Sequence, residues 1–150
     1  MTVITENDHP KAHALRLSKP RWKARLLSVP HTGTRSVKEL LVKAGWQYQK
    51  DFVQQHFHGD DHWIMDLPLP AIVPIRDKAE ARASWSRRHR KDAAFEACWS
   101  HMEQFLADNP DTFRVHINDE AQREQDLQAI AEHFGLQILR EFPHEGANGA

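Results

Sequence analysis

Two stretches of the chain carry residue types that suit a bound anion. The first is Val29-Pro30-His31-Thr32-Gly33-Thr34-Arg35-Ser36-Val37. Gly33 lets the backbone approach a ligand closely, and the amides after it open a helix, where the dipole favours negative charge. Thr32, Thr34 and Ser36 add hydroxyl groups and Arg35 adds positive charge. Physically this is a phosphate cradle. It is not a Walker A loop, because no Lys follows Gly33 and the spacing is too short for GxxxxGK(S/T). The same Gly and hydroxyl residues also serve a plain strand-to-helix turn, as caps alone. The second stretch runs from Ile75-Arg76-Asp77-Lys78 to Ser84. Arg76 offers a bidentate fork and Ser84 a hydroxyl, a pairing suited to a phosphate. On its own, a basic helix of this kind is usually just solvated.

A third cluster, His56-Phe57-His58-Gly59-Asp60-Asp61-His62, packs three His and two Asp into seven residues. All of them are possible metal ligands. The cluster is close to the HxHxDH signature of metallo-β-lactamase-fold hydrolases, but Asp61 stands where His should be and His62 comes one position late. With 11 His in the chain, a polar loop after a strand explains the cluster equally simply.

The elements that must position these residues are legible from periodicity. An apolar run at residues 25–29 ends at Pro30 and reads as a buried strand. From Ser36 the pattern is helical, with Val37, Leu40, Leu41 and Ala44 on one side and Gly45 at the end. Residues 51–58 read as a second strand, with Val53, Gln55 and Phe57 on one face and Phe52, Gln54, His56 and His58 on the other. Residues 62–70 read as a loop with Pro68 and Pro70. Residues 71–75 form a third apolar run, although Pro74 speaks against a central strand because it removes a ladder donor.

Two helices follow, over 78–90 and 92–107. The first carries six basic side chains, and the second an apolar stripe of Ala94, Phe95, Cys98, Met102, Phe105 and Leu106. A strand at 112–117 leads to a helix over 120–134, capped by Asp119 and closed by Gly135, and a short strand is expected at 136–139. This alternation predicts an α/β fold, a three-layer arrangement of a mainly parallel sheet with helices on both faces. Ligands in such sheets bind at the C-terminal strand ends, here 30–35, 56–61, 76–77 and 117–119.

Taken together and in order, the two anion-suited stretches resemble the nucleotide-dependent sulfotransferases. That family carries a 5′-phosphosulfate loop of the form P-K-x-G-T-x-x-L after its first strand. It later carries an Arg at a strand end with a Ser eight residues on. Here the first site reads Pro30-His31-Thr32-Gly33-Thr34-Arg35-Ser36-Val37, and the second runs from Arg76-Asp77-Lys78 to Ser84. Downstream, Val115-His116-Ile117-Asn118-Asp119 leads through a helix to Glu132-His133-Phe134-Gly135-Leu136, like the family's strand, acidic turn, helix and F-L-G-L. The resemblance spans residues 24–137.

It implies a P-loop sulfotransferase-like fold that moves a sulfuryl group from 3′-phosphoadenosine 5′-phosphosulfate to an acceptor hydroxyl or amine. The loop from Thr32 to Ser36 would hold the 5′-phosphosulfate, and Arg76 and Ser84 the 3′-phosphate. His58, with His56 as second choice, would take the acceptor's proton, and no metal would be required. The family's loop Lys is His31 here, which substitutes for it only when protonated. Arg35 is the other source of charge, and Arg88 or Arg90 the stand-ins for a late Arg-Lys-Gly segment that the chain lacks. The His31 replacement also fits an adaptor that keeps the fold after losing activity. Trp85 is the candidate for adenine contact and Trp63 for the acceptor pocket.

Composition bounds the rest. The chain has 150 residues and a net charge of -1, which fits one domain and argues against a general nucleic-acid binder. Residues 1–20 read as an N-terminal arm, 21–143 as the domain and 144–150 as a flexible tail. The lone Cys98 allows no intrachain disulfide. No signal-peptide or membrane-spanning run is present, so a cytoplasmic protein is expected, with a small-molecule or carbohydrate acceptor and no membrane partner; an oligomer is possible.

Overall fold

Residues 24–28, ARLLS, are buried without exception. A strand covered on both faces belongs in the interior of a parallel sheet, and that is where this one lies. The computed structural model describes residues 22–57, 63–89 and 91–137. In chain order it contains β1 (Ala24–Ser28), α1 (Thr34–Lys43), β2 (Phe52–His56), a short 3-10 helix (Trp63–Asp66) and β3 (Ala71–Ile75). Then come α2 (Lys78–His89), α3 (Asp92–Asp108), β4 (Phe113–His116) and α4 (Glu120–Phe134). The four strands pair in the order β2-β1-β3-β4, and every pairing is parallel.

Alternation along the strands splits the core into two layers. On one face Ala24, Leu26, Phe52, Ile72 and Val115 meet Val37, Leu40 and Leu41 of α1 and Leu127 and Ile130 of α4. On the other, Leu27, Val53 and Val73 meet Trp85 of α2 and Phe95, Trp99, Met102 and Phe105 of α3. The chain is therefore an α/β protein with helices on both faces of an all-parallel sheet. Among the described residues no helix is long and apolar enough to cross a membrane.

Three local features differ from the sequence expectations. First, β3 is a central strand despite Pro74. The Arg25 amide donates to the Pro70 carbonyl and the Ile117 amide to the Ile75 carbonyl. Even-numbered residues of β3 thus turn their backbone groups toward β1 and odd-numbered ones toward β4. Pairing of β3 with β1 covers Ala71 and Ile72, whereas pairing with β4 continues to Ile75. The amide that Pro74 lacks falls on the β1 side, beyond the last paired residue. Second, α1 begins at Thr34 rather than Ser36, because the turn at Gly33 starts the helix at once. Third, residues 136 and 137 are not strand: the Leu136 amide closes the end of α4 on the Ala131 carbonyl, after Gly135 at a φ of 69°. Residues 138 and 139 lie outside the described residues.

The expected stripe of α3 is largely present, with Trp99 buried in place of Ala94. Asp119 caps α4 as expected, its side chain accepting from the Gln122 amide. Arg25 is an apolar-run residue that keeps its charge inside. Its guanidinium donates to the carbonyls of Ile64, Met65 and Leu69 and lies 5.4 Å from the centre of the Phe105 ring. Burial pushes its pKa down to about 10, against a smaller opposing pull from Asp66.

Candidate functional site

Strand order turns one way from β1 to β2 and the other way from β3 to β4. The C-terminal ends of β1 and β3 therefore flank a switch point, the place where open α/β sheets bind ligands. The chain puts both anion-suited stretches there. The loop after β1 enters at Val29 and folds back through two positive φ values, 69° at His31 and 90° at Gly33. Glycine takes such a conformation freely, and at His31 it costs about 1 kcal/mol or more.

The loop is tied down from four sides. Thr32 Oγ1 donates to the Val29 carbonyl at 2.6 Å, and Thr34 Oγ1 donates to Ser28 Oγ at 2.7 Å. Arg76, just past the end of β3, donates from Nη1 to the His31 carbonyl at 2.8 Å. From β4, Ile117 closes in on Gly33 so tightly that a Cβ there would sit 3.0 Å from two of its carbons. Thr32, Thr34, Ser36, Arg76 and Ser84 are all buried.

This geometry changes which atoms offer hydrogen bonds to a ligand. A threonine hydroxyl has one proton to give, and that of Thr32 is given inward, to the Val29 carbonyl, while Thr34 and Ser28 share a hydrogen bond between their hydroxyls. What remains at the mouth is backbone. Gly33, as the N-cap of α1, supplies no side-chain cap, and no acidic residue stands in the first helical turn. The amides of Thr34, Arg35 and Ser36 and the positive end of the helix dipole define the local field, with the exposed Arg35 beside them.

The second stretch is equally organised. Asp77 caps α2, its Oδ2 accepting from the Glu80 amide. Asn118, beyond β4, accepts from the Asp77 amide through Oδ1 and donates through Nδ2 to Glu80. One amide side chain thus bolts the end of β4 to the start of α2, one residue from Arg76. The exposed basic face of α2 is engaged with α3: Lys78 pairs with Glu96, and Arg82 with Asp92 and Glu96. An open cavity of about 560 Å³ lies along that face, lined by Lys78, Ala79, Arg82, Ala83 and Ser86.

His31, Thr32, Gly33, Thr34 and Arg76 come together around one loop, and Ser84 is buried on α2 next to Trp85, whose ring meets that of His31 edge-on at 6.3 Å. Trp85 itself packs against Phe95 and donates from its indole nitrogen to the Lys91 carbonyl, so its ring is a core element. Pro30 and Arg35 flank the loop, half-buried and exposed respectively. His56 is the last residue of β2, in register with Ser28, and alternation sets it on the α1 face of the sheet, beside the Ser28–Thr34 pair. His58, Asp60, Asp61, His62 and Arg90 lie outside the described residues, as does the side chain of Trp63. Among the described residues, no group of three or more metal-ligating side chains is gathered.

Ser28 and Arg123 carried no signal of a site role in the sequence, and Ile117 and Asn118 stood out only as members of the 117–119 strand end. Arg123 is buried on α4 and donates to the Ile117 carbonyl, bracing the residue that presses on Gly33. A His–Asp pair was missed as well. Asp126 Oδ2 takes both the His116 amide and its Nδ1 at 2.8 Å, while Oδ1 accepts from Gln122. Ile117 points to the loop, so alternation turns His116 away from it, and the pair caps the outer edge of β4. Cys98 is buried among the α3 side chains, and burial pushes its thiol pKa up, which suppresses the reactive thiolate. Comparison of the chain with protein-family models, curated proteins and solved structures finds no match.

Proposed function

We propose that this protein binds 3′-phosphoadenosine 5′-phosphosulfate at the β1/β3 switch point and transfers its sulfuryl group to an acceptor hydroxyl or amine, in the manner of a small P-loop sulfotransferase. One observation carries this reading. Two stretches that are 45 residues apart in sequence meet through the 2.8 Å bond from Arg76 to the His31 carbonyl. The buried Arg76 is thereby held beside a helix N-terminus that has no side-chain cap, an arrangement that serves anions.

In this reading the amides of Thr34 to Ser36 face the 5′-phosphate, whose charge rises as it leaves. Arg76 and Ser84 serve the 3′-phosphate. A histidine, His58 or, as second choice, His56, removes the acceptor proton as the acceptor oxygen or nitrogen bonds to sulfur and the sulfur–oxygen bond to phosphate breaks. A neutral imidazole suits that task, with an ordinary pKa of about 6.5. No metal is called for, so a chelator is expected to leave the rate unchanged; a large loss would redirect attention to the cluster at residues 56–62. The binding-module reading keeps one specific support: the loop has His31 at the position of the family's Lys, and that ring is packed toward Trp85.

Calorimetric titration with 3′-phosphoadenosine 5′-phosphate, with ATP as control, tests the donor site. Micromolar binding that depends on the 3′-phosphate is expected, and absence of binding would overturn the reading. Replacing His58 and His56 by Ala, singly, separates transfer from binding. Loss of transfer by about 100-fold or more with donor affinity intact identifies the base. Full transfer by one variant clears that residue.

A further inference from the structure

The geometry points to Arg76 as a positioning residue that shapes the cradle through the backbone, beyond any charge it presents to a ligand. The loop amides are useful to an anion only while the chain turns back at His31 and Gly33. Gly33 adopts its φ of 90° without penalty, but His31 holds 69° against its own Cβ. Such a conformation persists only where the surroundings over-determine it. One restraint that acts on His31 from another strand is the Arg76 guanidinium on its carbonyl, delivered from just past the end of β3, with Asn118 fixing the next residue, Asp77. Thr32 closes the turn on the Val29 carbonyl, across the strained residue, and Thr34 fastens the loop to Ser28 at the end of β1. Arg76 fastens the strained residue itself, from the neighbouring strand.

This inference goes further than a phosphate fork. A fork matters only to a ligand that carries the phosphate it grips. A latch matters to every ligand of the loop, and to the loop when nothing is bound. The ligand arm of the test rests on the proposed donor; the exchange arm does not.

The experiment is amide hydrogen exchange on the full-length protein, followed at residues 31–36 in the wild type, Arg76→Gln and Arg76→Lys. Exchange of these amides is expected to quicken by about tenfold in Arg76→Gln, with the amides of α3 and α4 unchanged. Should Arg76→Gln fail to fold, Arg76→Lys carries the measurement, because it keeps the charge while losing the planar fork. The double variant Arg76→Gln/His31→Gly is expected to regain most of the protection, since glycine takes the positive φ without a latch. A general loss of packing would not be repaired that way.

In parallel, affinities for 3′-phosphoadenosine 5′-phosphate and for adenosine 5′-phosphosulfate are compared across the same variants. A latch weakens both ligands by a similar factor. Unchanged exchange at 31–36, no rescue by the glycine, or a loss confined to the ligand bearing the 3′-phosphate would overturn the inference. If the wild type binds neither nucleotide, the proposed function fails, and the exchange result still decides whether Arg76 holds the loop.

Discussion

Arg25 lies on β1 and Arg76 just past the end of its central neighbour β3, and each is less than a tenth exposed. Arg25 lies near the start of β1 and spends its guanidinium on the carbonyls of Ile64, Met65 and Leu69, the irregular segment that carries the chain from β2 to β3. Arg76 lies past the end of β3 and reaches one carbonyl of a strained turn at the switch point. The first anchors the crossing at the N-terminal end of β1, opposite the switch point. The second stands where the sheet opens. Burial of an arginine therefore says little about its role; the backbone it holds, and the end of the strand it occupies, say more.

The sharpest way to break that contrast is to remove Arg25. Folding lowers its pKa to about 10 by desolvation, so the unfolded chain binds the extra proton from about pH 10 up to the higher, ordinary guanidinium range. By linkage, this group makes stability rise with pH only in that alkaline window, and at neutral pH its charge is held at a cost. The carbonyls offset the cost. In Arg25→Met they lose the guanidinium as donor, although the Ile64 carbonyl keeps the Leu67 amide, and denaturant unfolding is expected to show a loss of about 3 kcal/mol, because weakening the pairing of buried carbonyls is expensive. A loss below about 1 kcal/mol would mean that water reaches the segment and that Arg25 is no strut.

The turn itself offers a second contrast. Gly33 and Gly135 both have positive φ, but a Cβ at Gly33 would meet Ile117 at 3.0 Å, whereas at Gly135 nothing lies within 4 Å. Gly135→Ala should cost about 1 kcal/mol, the backbone term alone, and Gly33→Ala about 2 kcal/mol, with the Ile117 contact added. Thermal unfolding of the two variants measures the difference. Equal costs would show that Ile117 yields freely and does not brace the loop. Nucleotide affinity should fall in Gly33→Ala and stay level in Gly135→Ala.

These contrasts also mark where the sequence was readable. The order of strands and helices followed from periodicity, and Gly33 announced the turn, because turns and amphipathic faces are local properties. Asp119 and Gly135 likewise bounded α4 from sequence alone. Arg76 was singled out by its place at a strand end, but the role of Arg25 was not, since its partners are carbonyls of a distant segment that carry no side-chain signature. Pro74 pointed the wrong way, because its missing amide matters only if the facing strand is still paired at that level, and β1 is not. The hydroxyl of Thr32 has the right type for a ligand, yet its proton goes to the Val29 carbonyl, which the loop's spacing does not reveal.

The smallest effect is expected at the edge of β4. Asp126 accepts from both the His116 amide and its ring, so the carboxylate caps the strand edge whether or not the ring is there. Asp126→Ala removes the acceptor for a half-buried backbone amide and should cost about 1–2 kcal/mol. His116→Ala leaves the amide capped and should cost under about 1 kcal/mol, since the pair is partly exposed. Both are read by denaturant unfolding, with nucleotide affinity and transfer measured beside it. If His116→Ala abolished transfer while stability and affinity held, the ring would belong to the reaction. The argument that alternation along β4 turns it away from the loop, while Ile117 faces Gly33, would then fail.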